Sequence, residues 1–207
     1  ASQKYKVMLS GDGGDELFWG YPSRFTTLMR LAVDFRMPLW LRRVRWGAKR
    51  AFLRGNDRYL LMDSVGNAHR AMHTRFPEAL LEEIFPSLPV WPPGCNVYAY
   101  DGREIDQIGQ VSRWNEFVYH LTMVLMKVDR ASMYNSLEVR VPFLDREVID
   151  VASKVDWKDC LQVGPQIGKI PLRRALAKLV TYQTHAKRGF EAPMATSLRT
   201  SMKDLFE

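Results

Sequence analysis

One strand followed by almost nothing but helices is a difficult pattern to close into a fold. Lys6-Val7-Met8-Leu9 is a short apolar run that stops at Ser10-Gly11-Asp12-Gly13-Gly14. An aliphatic run ending in a glycine cluster reads as a buried strand feeding a loop. Glu16-Leu17-Phe18 then opens a helix, and the order strand, glycine loop, helix is how parallel α/β sheets present ligand sites at strand C-termini. Beyond this point strand signals almost vanish. A lone strand cannot make a sheet, because the backbone groups along its edges would go unpaired. Either residues 6–9 pair with strands that this chain lacks, which makes it a partial chain, or the strand reading fails.

The rest of the pattern is helical. Residues 28–53 have apolar faces built from Leu31, Leu39, Leu41, Val44, Ala48 and Phe52, broken near Pro38. Residues 75–85 predict a short helix ended by Pro86. Residues 87–102 carry Pro89, Pro92, Pro93, Gly94 and Gly102, and read as a loop. The clearest helix is 112–127, where Trp114, Phe117, Val118, Leu121, Val124, Leu125 and Val128 recur at three- and four-residue spacing. A further turn follows over 130–134. Asp145 can N-cap a helix running through Lys154, and Pro171 suits the first turn of one over 172–180. The expected class is mostly α, the helical part of an α/β domain whose parallel sheet contributes one strand at residues 6–9.

Composition excludes more than it assigns. A hydrophobic share of 46% over 207 residues supports a packed core, and no apolar run reaches the roughly 18 residues of a membrane span. Residues 1–6 lack the apolar stretch of a signal peptide, so the expected setting is cytoplasmic. Cys95 and Cys160 stand 65 residues apart, with no CxxC and no paired His/Cys spacing. That argues against the usual structural zinc sites and against a disulfide-stapled fold. The net charge of +7 is uneven: Arg36, Arg42, Arg43, Arg45, Lys49, Arg50 and Arg54 lie in a stretch with no acidic residue. Such a run can meet phosphates, an anionic surface or an acidic partner, or can simply form a solvated helix face.

Chemistry concentrates in three segments. In Ser10-Gly11-Asp12-Gly13-Gly14-Asp15-Glu16 the glycines permit positive φ and close approach of the main chain to a ligand, so the N–H groups and the Ser10 hydroxyl can cradle phosphate oxygens. Three carboxylates in five residues would repel bare phosphates, and magnesium is the natural mediator. A polar turn capping a helix is the plainer reading, and the spacing is not that of an EF-hand. The second segment runs from Lys127-Val128-Asp129-Arg130 into Leu137-Glu138-Val139-Arg140-Val141-Pro142. Alternation there makes residues 137–141 extended, with Glu138 and Arg140 on one side. They can pair with each other or with Asp129 and Arg130, as a buried structural network or as ligand contacts. The third is Lys187-Arg188-Gly189-Phe190, where an ammonium beside a glycine-aromatic turn can meet a phosphate or developing negative charge.

In this order the segments resemble the synthetase domain of asparagine synthetase and its relatives, including β-lactam synthetase. Ser10 to Glu16 with Gly20-Tyr21 matches that family's loop of the form SG-acid-G-x-DE-x-x-x-GY. Val128-Asp129-Arg130-Ala131 with Leu137 to Asp145 matches its long block. Lys169 before Leu172-Arg173-Arg174-Ala175, and Lys187 to Phe190, match its later lysines. The resemblance implies the helical C-terminal part of an α/β adenine-nucleotide domain of the PP-loop ATP pyrophosphatase type. It implies carboxylate adenylation by ATP with pyrophosphate release, then attack by ammonia drawn from glutamine, on aspartate or another carboxylate. By this resemblance Ser10 and Gly11 would contact ATP, Asp15 would hold magnesium and pyrophosphate, and Asp12 and Lys187 would be catalytic. Asp12 replaces a glutamate that handles the amine, and is one methylene shorter.

The family's glutaminase domain and SGGxDS pyrophosphate loop do not occur in this sequence, so the expectation is that this chain alone is inactive. No nucleic acid and no membrane partner is implied, and a homodimer is compatible with the resemblance. Two other readings compete. One is a helical binding module that uses the basic stretch 36–54 on anionic partners; the other is a scaffold that keeps the fold without catalysis.

Overall fold

The computed structural model describes residues 2–47, 59–74, 78–87, 98, 100, 105–181 and 199–200. The strand that stands alone in the sequence has a partner within the chain. β1 (Val7–Leu9) pairs in parallel with a second strand, Glu138–Arg140, in the register Val7↔Glu138, Met8↔Val139, Leu9↔Arg140. The ladder continues at both ends, where Glu138 N–H donates to the Lys6 carbonyl (2.9 Å) and Ser10 N–H to that of Arg140 (2.8 Å). The partner is the alternating segment 137–141, so the pairing argument for outside strands falls away. The expected burial of β1 is also corrected. Val7, Met8 and Leu9 are all exposed, Leu9 at 72%, because only one other strand flanks β1 among the described residues.

The other named elements among the described residues are helical: α1 (Gly14–Leu17), α2 (Pro22–Asp34), α3 (Leu39–Gly47), α4 (Val65–His73), α5 (Glu78–Ile84) and α6 (Ile105–Asn115). A π-helical turn, Glu116–His120, leads from α6 directly into α7 (Leu121–Tyr134). Then come β2 (Glu138–Arg140), a 3-10 turn at Pro142–Leu144, α8 (Arg146–Lys154), α9 (Trp157–Cys160) and α10 (Ile170–Leu179). The chain is thus mostly helical with a small two-stranded parallel sheet, the class expected. The helix foreseen at 112–127 extends over 105–134. The extra residue of the π turn shifts its face, so Leu121 is buried while Trp114, one of the foreseen apolar stripe, is 60% exposed.

Local chemistry explains the ends. Asp145 caps α8 as its sequence position suggests, its Oδ1 accepting from Glu147 N–H at 2.9 Å. Ser64 caps α4 through Asn67 N–H (3.1 Å), and Asp156 caps α9 through Lys158 N–H (2.9 Å).

Contact density divides the chain into residues 1–175 and 176–207. In the second unit the described residues are the end of α10 and residues 180–181 and 199–200. The first unit holds the core. Leu17, Phe18, Trp19 and Phe25 pack with Ala152, Cys160 and Leu161, which anchors the residues just after the glycine loop. Along α2, Phe25, Leu28 and Leu31 are fully buried at three-residue spacing. Each contributes about 1.5–3 kcal/mol of transfer free energy. Leu28 meets Val65, Tyr98, Tyr100 and Ile108, and Leu31 meets Tyr59, Leu60 and Ala68. Among the described residues, no helix is long and apolar enough to cross a membrane.

The basic stretch is not one surface. Arg36, Arg43 and Arg45 are exposed, but Arg42 is 2% exposed. Its guanidinium donates to the carbonyls of Leu60 (2.7 Å), Met62 (2.8 Å) and Met37 (3.2 Å) and lies 3.9 Å over the Phe35 ring. Lys49, Arg50 and Arg54 lie outside the described residues.

Candidate functional site

The glycine loop leaves the C-terminal end of β1, as the strand-loop-helix order requires. Gly13 has φ +85°, the left-handed region, and a Cβ there would meet Leu144 Cδ2 at 2.9 Å; a Cβ on Gly14 would meet Phe143 Cε2 at 3.2 Å. The loop is therefore seated on the Pro142–Leu144 turn, which joins two of the segments picked out in the sequence. At Gly11, by contrast, a Cβ would meet nothing within 4 Å, and the residue is exposed. The backbone on that side is open to a ligand.

The carboxylates of the loop divide into two kinds. Asp12 Oδ2 accepts the Ser10 hydroxyl at 2.5 Å, and Asp12 N–H donates back to Ser10 Oγ at 3.3 Å. Asp15 forms an ion pair with Lys169, Nζ to Oδ1 3.0 Å, with side chains 25% and 31% exposed. Glu16 instead turns inward, 2% exposed, and accepts from the Tyr21 hydroxyl at 2.7 Å. Burial raises the Glu16 carboxyl above its ordinary value, with the Tyr21 bond opposing, and burial likewise raises the Tyr21 phenol. So the acidic character that faces solvent reduces to Asp12 and Asp15.

Gly20 and Gly168 allow this geometry. A Cβ on Gly20 would fall 1.8 Å from Asp15 Oδ1 and 2.5 Å from Lys169 Cε, and one on Gly168 would fall 1.9 Å from the Trp19 carbonyl oxygen. Lys169, at φ +59°, donates its N–H to the Phe18 carbonyl (2.9 Å), and this fixes the lysine beside the loop. The structure thus pairs Ser10 with Asp12 and Asp15 with Lys169. Lys187 lies outside the described residues, as does Cys95. Glu138 and Arg140 pair with each other at 2.7 Å, with side chains 53% and 64% exposed. The alternative of a buried network is thereby corrected, since both side chains are more than half exposed.

A second constellation was missed by sequence reasoning. Glu116, buried, receives Arg24 Nη1 on Oε2 (2.6 Å) and the Nε2 atoms of His69 (2.7 Å) and His73 (3.0 Å) on Oε1. Tyr100 meets His69 Nδ1 at 2.7 Å, the His73 and His120 rings lie 4.2 Å apart, and Arg24 covers the Tyr21 ring at 4.3 Å. Burial alone would raise the Glu116 carboxyl, but the bonds from His69 and His73 and the nearby positive charges hold it well below the usual range. Burial lowers His69 and takes His120 down to about 4. The signal available in the sequence was His69 and His73 at four-residue spacing on one helical face.

The acidic glycine loop thus leaves the ends of two parallel strands, with Lys169 paired to Asp15 beside it and a helical layer behind it. The family model "Asparagine synthase" matches residues 1–207. A Mycobacterium tuberculosis (strain ATCC 25618 / H37Rv) protein, provisionally described as a glutamine-hydrolyzing asparagine synthetase, is 32% identical over 213 residues, covering 96% of this chain and 31% of the relative. The glutamine-hydrolyzing asparagine synthetase 1 of Bacillus subtilis (strain 168) is 29% identical over 220 residues, covering 99% of this chain and 33% of the relative. No solved structure gives a significant match. The chain belongs to the asparagine synthase family. It spans about a third of the length of these curated relatives.

Proposed function

We propose that this chain forms part of an ATP-dependent amide synthetase of the asparagine synthetase type. The observation that carries the reading is the open glycine loop at the strand ends, with Asp15 held by Lys169 beside it. In the reaction, a substrate carboxylate attacks the α-phosphate of ATP, giving an acyl-adenylate and pyrophosphate. Ammonia, drawn from glutamine, then displaces AMP to form the amide.

The residues take roles consistent with their surroundings. Gly11 N–H and Ser10 would meet ATP on the open side of the loop. Magnesium takes one or two carboxylates together with phosphate oxygens and waters, and the partly exposed Asp15 fits that donor set whereas the inward Glu16 does not. Bound magnesium would neutralise charge on the leaving pyrophosphate, and Lys169 would add a second positive charge next to Asp15. Asp12, oriented by Ser10, would accept the proton from the attacking amine, and Lys187 would stabilise charge on the phosphate or intermediate. Such positioning and electrostatic stabilisation are what adenylyl transfer needs.

The test is pyrophosphate release from ATP by the native-length polypeptide, with glutamine and with or without aspartate. Aspartate-dependent release that is lost in Asp15→Asn supports the reading. Full turnover in Asp15→Asn would remove Asp15 from the metal site, and release with no carboxylate tested would move the chain to a silent relative.

A further inference from the structure

The buried histidines have no part in the proposed adenylation scheme. The geometry points to a site for a divalent transition-metal ion formed by His69, His73 and Glu116. Two imidazole Nε2 atoms, one helical turn apart on α4, converge on a single carboxylate oxygen from the π-helical turn, and the three ligand atoms lie within 4.8 Å of one another. Two imidazoles and one carboxylate are the donor set that suits zinc and its neighbours, leaving one position open.

The surroundings supply what such a site needs. Tyr100 stands behind His69 Nδ1 at 2.7 Å, the position from which an outer partner fixes a ligating imidazole. Metal binding at Nε2 moves the ring proton to Nδ1, which then donates to the Tyr100 oxygen, so the tautomer changes without net proton loss from His69. Arg24 holds Oε2, which leaves Oε1 as a monodentate ligand. Next to this set, the buried Nδ1 of His120 has no hydrogen-bond partner among the described residues, and its ring lies 4.2 Å from that of His73, tilted by 35°. His120 also lines an open groove of about 730 Å³ along α7. The π turn places Glu116 and His120 on this side, and π turns inserted in α-helices recur at functional sites.

The direct hydrogen bonds to Glu116 are the competing account, in which the cluster is a metal-free strut. Titration of the untagged 207-residue chain, stripped with a chelator, separates the two accounts. Zinc would be followed by calorimetry, and cobalt(II) by its visible absorption. The expected result is one equivalent bound, a higher melting temperature with zinc, and intense cobalt bands of a four-coordinate centre. His73→Ala, whose side chain is 10% exposed, and Glu116→Gln should each abolish it. Tyr100→Phe, which keeps the ring and the fold, should weaken binding by about 10- to 100-fold. Absence of stoichiometric binding by the unsubstituted chain overturns the proposal, as does equal binding by folded His73→Ala or Tyr100→Phe.

Discussion

Arg42→Met removes the guanidinium but keeps much of the apolar stem, and its cost can be worked from the contacts. Three carbonyls, of Leu60, Met62 and Met37, lose a charged donor. Hydrogen bonds to charged groups are worth about 1.5–3 kcal/mol each. The Met37 contact is the longest and counts least, and the Leu60 carbonyl is the one buried most deeply. Stacking on Phe35 adds about 0.5–2 kcal/mol, while methionine recovers part of the packing. The net expectation is a loss of about 3–5 kcal/mol, in the range reserved for broken buried networks. Arg43→Met, on an exposed neighbour, should change stability by about 0.5 kcal/mol or less. Urea unfolding followed by tryptophan fluorescence and by circular dichroism measures both. Equal midpoints for the two variants would refute the assignment of Arg42 to the interior and would restore it to a continuous basic surface.

Other outcomes follow from the same contacts. Gly20→Ala drives a methyl into the Asp15–Lys169 pair and should cost about 1–3 kcal/mol, whereas Gly11→Ala in the open part of the loop should be neutral in a melting experiment; equal costs would contradict the seating of Asp15. Glu16→Gln keeps an acceptor for Tyr21 while removing a carboxylate whose folded pKa is raised by burial. The raised pKa makes glutamate favourable to folding in acid and unfavourable once pH rises through it. The variant should therefore be more stable than the parent at neutral pH, with the difference fading below the ordinary glutamate value of 4.5. Cys160 is fully buried, and burial pushes its thiol up to about 11. In a Cys95→Ser background it should resist a thiol reagent until denaturant is added, and rapid labelling of the folded protein would contradict its burial.

Much of this architecture was readable in one dimension, because the signals are local. The helical patterns of 28–53, broken near Pro38, and of 172–180, the Asp145 cap and the strand leading into the glycine loop each depend on side-chain period or on backbone groups a few residues apart. The glycine loop was likewise visible in Ser10 to Glu16, since a glycine cluster after an aliphatic run needs no distant partner to be recognised. What the sequence could not convey is which residue faces which. Arg42 reads as one more surface charge until the carbonyls of Leu60 and Met62 arrive from 18 and 20 residues away. Glu16 reads as a third metal-facing carboxylate until Tyr21 draws it inward. The partner of β1 lies some 130 residues downstream, and Glu116 meets histidines more than 40 residues before it. Local pattern determined the elements and the loop. Only the tertiary structure decided the pairings, because burial and charge compensation depend on neighbours that chain order does not specify.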